Sequence, residues 1–554
     1  MRKSTPVVLL GAAALTMSAC AQSERDTSGE GSGGGSADAN STFTFGAAGA
    51  PEVFDPFYAS DGETFRVTRQ IFEGLVEVKP GSAEIGPGLA ESWEPSEDGK
   101  TWTFTLRDGV KFSDGTEFNA EAVCANFDRM AEQNEAAQSG PAEYWSYSME
   151  GFGDKSLFRS CEAKDPKTAV LTIARATSKF PAMLSLSAFA MQSPKALEDG
   201  DANNVAVQGE GFKYPANSQN PVGTGPYTLE KYDTANKTIS LVRNDDYWGE
   251  KAKNAKIVFE IIPDESTRRQ ELEADSINGY DLPNPIDWKG LEDGGNTVEV
   301  RPAFNVLYMG LNPEKNAKLK DLKVRQALSM AIDRDGLVSS QLPEGAVAAS
   351  QFMPDTVKGY NSELQPTKQN VEEAKKLLKE AGAEGMKLTF AYPSEVTRPY
   401  MPNPQKIHEA LANDLKEVGI EVEVVTKPWN GGYLDGVDNG QFDAWLLGWT
   451  GDYDSADNFI GTFFGNLESN DFHTSATDFG EELSAALKKA DGTVDEGERT
   501  ALYEDLNKKI AEEYLPGLPI SHSPPAIVVN EQVDGLVASP LTAEEFSTVT
   551  VGGK

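Results

Sequence analysis

Two charged groups carry the chemistry this chain could do. In the segment GWTGDYDSADNF, at 448–459, Asp452 stands beside Trp449 and Tyr453, with Asp454 and Asp457 close behind. A carboxylate among aromatic rings suits an organic cation, because the acid and the ring faces both attract positive charge. The plainer reading is an acidic surface loop. Earlier, residues 397–404 read TRPYMPNP and place Arg398 in a proline-rich turn. Arginine suits a two-point grip on a carboxylate, and its plainer reading is a surface salt bridge. A free dipeptide has an ammonium at one end and a carboxylate at the other, and desolvating either is costly unless an opposite charge meets it. Two fixed charges at a set separation would measure its length.

Catalytic sets are sought with less success. His408-Glu409 begins like the zinc-protease HExxH, but Ala412 occupies the second histidine position. With only His408, His473 and His522 in the chain, a histidine-rich metal site is not expected. Asp452-Tyr453-Asp454 opens like a calcium loop, yet Ala456 and Asp457 stand where that loop requires a ligand and a glycine. No G-x-S-x-G elbow, Walker loop or C-x-x-C occurs. The expectation is capture without an enzyme activity, a cofactor or a metal, with a secreted peptidase as the alternative from another class.

The elements around these residues favour a crevice. Ala444-Trp445-Leu446-Leu447 is a continuous apolar run of the kind found in strands buried on both faces, and Gly448 and Gly451 end it. In open α/β sheets ligands bind outside the carboxyl ends of the strands, which is where Asp452 would sit. A strand over 387–392 precedes Arg398, so both charges belong at one edge. Backbone groups around Leu447, Gly448 and Trp449 could pair with a ligand's peptide bond whatever its side chains. The helix 405–418, with Ile407, Leu411 and Leu415 inward, and the strand 420–426 complete a βαβ pattern that predicts parallel pairing.

Elsewhere the pattern predicts a buried strand over 304–311, a helix over 66–78, antiparallel hairpins over 88–118 and a helix capped by Asn119. Residues 321–338 carry Leu328, Ala331 and Ile332 on one helical face, and a helix over 498–514 leads into an extended 515–519. Residues 135–158, rich in glycine and aromatics without clear periodicity, are expected to form a long loop, in which Tyr144 and Tyr147 are either ligand contacts or packing.

At 554 residues the chain should form two or more domains. Fifty Lys plus Arg against 87 Asp plus Glu give a net charge of -37, a field that repels nucleic acid and anionic membranes. Residues 1–19 hold Arg2, Lys3 and an apolar run too short to span a bilayer, which reads as an export signal. LTMSAC at 15–20 resembles the lipobox of bacterial lipoproteins, with Cys20 as the lipidated residue and Met17 less usual there; a plain secretory signal is the alternative. The glycine-serine stretch up to residue 41 would be a flexible tether. Cys124 and Cys161 then remain as an even pair in an oxidising compartment, where a disulfide is expected and two buried thiols are the alternative.

The segment from Trp93 to Phe118 followed by NAEAVCANFDR, then NPVGTGPY at 220–227, Tyr247-Trp248-Gly249 and VRQALSMAIDR at 324–334, resembles the extracellular solute-binding proteins of family 5 in the same order. The resemblance implies an α/β fold of the two-lobed periplasmic-binding-protein kind: type II, large cluster with an extra subdomain, mixed sheets flanked by helices and two crossover hinges. It implies a first lobe over 42–58, 185–302 and 520–554, an extra subdomain over 59–184 and a second lobe over 303–519. RPYMPNP with GWTGDYDSADNF is similar to the dipeptide-binding branch, in which the aspartate matching Asp452 holds the peptide amine and the arginine matching Arg398 its carboxylate. Ser60, Asp61 and Gly62 stand where first-lobe backbone contacts would be. The sequence departs from that branch at Ser455-Ala456 and around Tyr144, which leaves side-chain preference open. The implied function is a monomeric, lipid-anchored protein outside the bacterial cytoplasmic membrane. It would close over a short peptide and present it to the transmembrane subunits of an ABC permease. Oligopeptide, haem, metal chelate and sugar are the alternative solutes.

Overall fold

The protein is described from a computed structural model covering residues 41–209, 211–394, 396–467 and 470–552, without the side chains of 430 and 431. The expected signal peptide, Cys20 and nearly all of the tether lie outside the described residues. Residues 41–552 belong to one compact unit, Ala37–Lys554.

The strand foreseen from its apolar run is Ala444–Thr450, central in a six-stranded sheet. It lies between Asn305–Leu311, every residue of which is buried, and Lys387–Ser394. Lys387–Ser394 runs parallel to it and to Glu421–Pro428, as the βαβ pattern predicts. The sheet as a whole is nonetheless mixed. Asn305–Leu311 pairs antiparallel with Ala444–Thr450, with Leu307 opposite Gly448, and antiparallel with Gly517–His522 on its other side. The helix Pro404–Glu417 covers one face: Asn403 accepts from the Lys406 amide and Pro404 fills the first turn, while Ile407, Leu411 and Leu415 are buried.

A seven-stranded sheet, in the order Tyr227–Asp233, Thr238–Arg243, Lys256–Ile261, Thr42–Ala47, Gly279–Asp281, Ala526–Val529, Thr297–Val300, forms the other large half. The chain crosses between the halves at 301–304 and again at 523–525. The two crossings are adjacent: Arg301 N donates to Pro525 O at 2.8 Å, and the Asn305 side chain bonds the Ser523 backbone at 2.7 and 3.1 Å. Such paired connections make a hinge, since bending is confined to two short segments.

A four-stranded antiparallel sheet, Ala90–Pro95, Thr101–Leu106, Thr168–Ile173 and Phe158–Asp165, contains the first of the expected hairpins and buries Trp102, Phe104 and Leu106. Cys124 on the helix Ala120–Ala131 and Cys161 on the strand Phe158–Asp165 form a disulfide with Cα atoms 5.1 Å apart.

Three expectations are corrected. The helix placed at 66–78 is Gly62–Thr68, because Asp61 caps it by accepting from Thr64 N; a turn follows, and the strand Val76–Val78 comes after it. The long loop at 135–158 contains the helices Glu135–Gln138 and Glu143–Ser148, the latter held by Trp145 packed among Phe57, Phe158 and Phe189. The helix at 321–338 is two, Leu322–Ala331 and Arg334–Gln341, since the Asp333 side chain accepts from Gly336 N and caps a new start. The extended 515–519, by contrast, is as expected and runs into a sheet strand, Gly517–His522.

Candidate functional site

Where the six-stranded sheet ends, two neighbouring turns present opposite charges to one cavity of about 740 Å³, which Asp452 and Arg398 both line. That volume lies within the range of small-ligand sites.

Arg398 is anchored by the residues just after it. Its backbone pairs both ways with Met401, at 3.2 and 2.9 Å, and Tyr400 and Met401 are plugged into the core. Gly448 makes room for that plug: a Cβ there would come within 2.4 Å of the Tyr400 ring and of Val306 O. The guanidinium lies over the Trp429 ring, 4.3 Å from its centroid. Among the described residues it makes no salt bridge, and its Nε is buried without a partner. The surface-salt-bridge reading therefore has no support there.

Asp452 comes after the strand through Gly451, whose amide bonds Phe304 O at 2.9 Å. Buried Asn458 clamps it, accepting from Asp452 N at 2.8 Å and donating to Oδ2 at 3.2 Å, and the Tyr144 hydroxyl donates to Oδ1 at 3.3 Å. Burial lifts the Asp452 carboxyl to about 6; the hydrogen bonds from Asn458 and Tyr144 oppose this and the Glu143 charge adds to it. An acid held in this way regains full ionisation when a cation meets it. Asp457, by contrast, is taken up in a salt bridge to Lys179 at 2.7 Å.

Of the other expected residues, Leu447, Gly448, Trp449, Asp61, Gly62 and Tyr144 line the same cavity. Ser60 faces a smaller adjoining space of about 190 Å³, which Gly62, Tyr144 and Asp452 also border. The Asp61 carboxylate is occupied in capping, accepting from Thr64 N at 2.9 Å and Thr64 Oγ1 at 2.6 Å. Tyr147 lines neither space; the residue is 42 % exposed and its hydroxyl meets Thr462 Oγ1.

The seven-stranded half supplies a wall that no sequence pattern reveals. Arg66 and Asp281 line the cavity, paired at 2.6 Å, and Arg301 joins Asp281 to Glu544, both at 2.7 Å. Burial raises Asp281, but the Arg301 and Arg66 guanidiniums more than offset this and hold it below the ordinary carboxylate range. These charges pair with one another, while Arg66 Nε and Nη1 and Arg301 Nη2 are buried without a hydrogen-bond partner. Trp429 and Asn458 were also missed. Trp429 stands just past the carboxyl end of Glu421–Pro428, so the edge rule that placed Arg398 and Asp452 would have found it.

The three histidines serve the fold. His408 Nε2 meets Phe390 O at 3.1 Å between the Phe390 and Tyr392 rings, and burial lowers its pKa to about 4. His522 Nδ1 meets Asn305 O at 2.6 Å, and His473 pairs with Glu314 at 3.0 Å.

Residues 84–471 match the profile described as bacterial extracellular solute-binding proteins, family 5 Middle. The chain belongs to that family. As a family 5 protein it is a solute-binding protein and not an enzyme, and its fold is the two-lobed type II architecture. It is 33 % identical over 514 residues to the dipeptide-binding protein of Escherichia coli (strain K12), covering 91 % of this chain and 93 % of that one. To heme-binding protein A of Haemophilus influenzae it is 30 % identical, over 100 % of both chains. The crystal structure of a dipeptide binding protein from Pseudoalteromonas sp. SM9913 in complex with Met-Leu superposes with a TM-score of 0.76. Identity there is 26 %, covering 92 % of this chain and 100 % of that one. Among the described residues no helix is long and apolar enough to cross a membrane.

Proposed function

We propose that this family 5 protein captures dipeptides or short peptides outside the cytoplasmic membrane and delivers them to an ABC permease. One observation carries the reading: a single cavity is lined by a carboxylate lifted by burial and by a guanidinium with no acidic partner among the described residues. A zwitterion of the right length satisfies both charges at once. Asp452 takes the ammonium and Arg398 the carboxylate, while backbone groups at Leu447, Gly448 and Trp449 meet the peptide bond. Gly62, Asp61 and Tyr144 close the cavity from the other side, with Ser60 bordering the adjoining space. The dipeptide-binding relatives from Escherichia coli and Pseudoalteromonas support the peptide class; the heme-binding relative from Haemophilus makes haem the competing solute.

Closure is a hinge motion at 301–304 and 523–525, bringing the lobe built on the seven-stranded sheet and the extra subdomain 59–184 against the lobe built on the six-stranded sheet. The protein acts as a monomer tethered by a lipid on Cys20, and contributes no catalysis of its own. Native mass spectrometry of the mature protein tests the reading. Co-purified di- or tripeptides are the expected adducts, and haem, a sugar or a metal chelate in their place would refute it.

A further inference from the structure

Tyr453 follows Asp452 in sequence but lines neither the cavity nor the smaller space beside it. It is 1 % exposed and belongs to a hydrophobic core whose other buried members all come from residues 53–205, Trp102, Phe104 and Trp145 among them. A ring from the six-stranded half is thus plugged into the core that the four-stranded sheet helps to build. Four residues on, Asp457 meets Lys179 at 2.7 Å.

The segment 175–179 that supplies this lysine makes a second attachment. Asp491, the last residue of the helix Gly480–Asp491, accepts from Arg175 Nη1 at 2.9 Å, Thr177 Oγ1 at 2.7 Å, and Ser178 N and Oγ each at 3.2 Å. The Ser178 amide also reaches Asp491 O at 2.8 Å. Glu150, from the same side as Arg175, pairs with that guanidinium and holds it ready. Asp491 is 3 % exposed, and among the described residues every hydrogen bond to its side chain comes from 175–178.

Residues 175–179 are joined to the six-stranded half only through the crossings at 301–304 and 523–525. Opening at those crossings therefore parts Asp457 and Asp491 from their donors and withdraws Tyr453 from its core. A buried carboxylate is stable only while donors meet it, and a buried ring loses favourable contact when water reaches it. Both terms favour the closed form. None of these side chains lines the cavity, so what they contribute does not depend on the solute. We propose that the segment 175–179, docked on Asp457 and Asp491 with Tyr453 as its plug, is a latch outside the cavity that stabilises the closed form and scales the affinity for every solute by one common factor. This inference rests on the hinge closure in the reading above, and not on the solute being a peptide.

Arg175→Met with Thr177→Val removes two donors to Asp491 and leaves the cavity wall untouched. Calorimetry with Ala-Ala, Ala-Phe and Lys-Ala should show each bound at least about five-fold more weakly, by the same factor, because apparent affinity scales with the population of the closed form. Unchanged affinities overturn the inference, as does a loss confined to one peptide. A hydrogen-exchange measurement on the wild type does not need the variant to fold: saturating Ala-Ala should slow exchange of the Ser178 amide, and unaltered exchange there overturns the latch. If none of the three peptides binds the wild type, the peptide reading fails by itself. The latch is then judged by X-ray scattering of the unliganded proteins, where the double variant should have the larger radius of gyration and equal radii overturn the inference.

Discussion

The Tyr144 hydroxyl donates to Asp452 Oδ1 at 3.3 Å across 308 residues of sequence. Tyr144 stands on the helix Glu143–Ser148, beside the four-stranded sheet, and Asp452 at the end of the central strand of the six-stranded one. The contact therefore joins the two sides of the cavity. It also favours the ionised acid, so removing it should act on binding and on titration together. In Tyr144→Phe, dipeptide affinity should fall about five-fold. The pH midpoint of binding should move upward, because one hydrogen bond opposing the lift of Asp452 is gone. A calorimetric pH series on both proteins measures this, and an unmoved midpoint would exclude the tyrosine from the site.

Affinity should also depend on pH in the wild type. The unliganded Asp452 carboxyl titrates at about 6, and a bound ammonium favours its ionised form. The binding-competent ionised form prevails above that value. Affinity for a peptide with neutral side chains is thus full near neutrality and falls about ten-fold per pH unit below 6, until the lower pKa of the complex is reached. Asp452→Asn should bind weakly and without this dependence.

Arg398 offers a geometric test. Its guanidinium is stacked 4.3 Å from the Trp429 centroid and free of acids among the described residues, an arrangement lysine cannot copy. Arg398→Lys should weaken dipeptide binding about ten-fold and Arg398→Gln about thirty-fold. Only the wild type and the lysine variant should distinguish a free peptide from its C-terminal amide. Titration calorimetry reads both effects.

The site was legible in the sequence to the extent that strand direction reveals it. Lys387–Ser394 and Ala444–Thr450 are parallel, so the turns after them, with Arg398 and Asp452, had to share an edge. The antiparallel pairing of Asn305–Leu311 was not legible, because a strand buried on both faces has no alternation from which direction or partner can be read. The helix under Tyr144 escaped notice since six residues give no period, and its order comes from Trp145 packing against rings far away in sequence. The chain Arg66–Asp281–Arg301–Glu544 was hidden for the same reason: its members meet only in the folded protein.

The disulfide can be tested without reference to the site. Cys124 and Cys161 are 37 residues apart, and closing such a loop in the unfolded chain contributes about 3 to 4 kcal/mol in the chain-entropy account. Cys124→Ser with Cys161→Ser should lower unfolding stability by about that amount in urea titrations. Neither cysteine lines the cavity, so dipeptide affinity at low temperature should be retained.

The central claim is that Asp452 and Arg398 grip the two ends of a short peptide. Calorimetry with one dipeptide in three forms, free, N-acetylated and C-amidated, addresses it most directly. The free peptide should bind at least about a hundred-fold tighter than either blocked form, since each block leaves one cavity charge unanswered. Equal affinity for the free and the N-acetylated peptide would contradict the account.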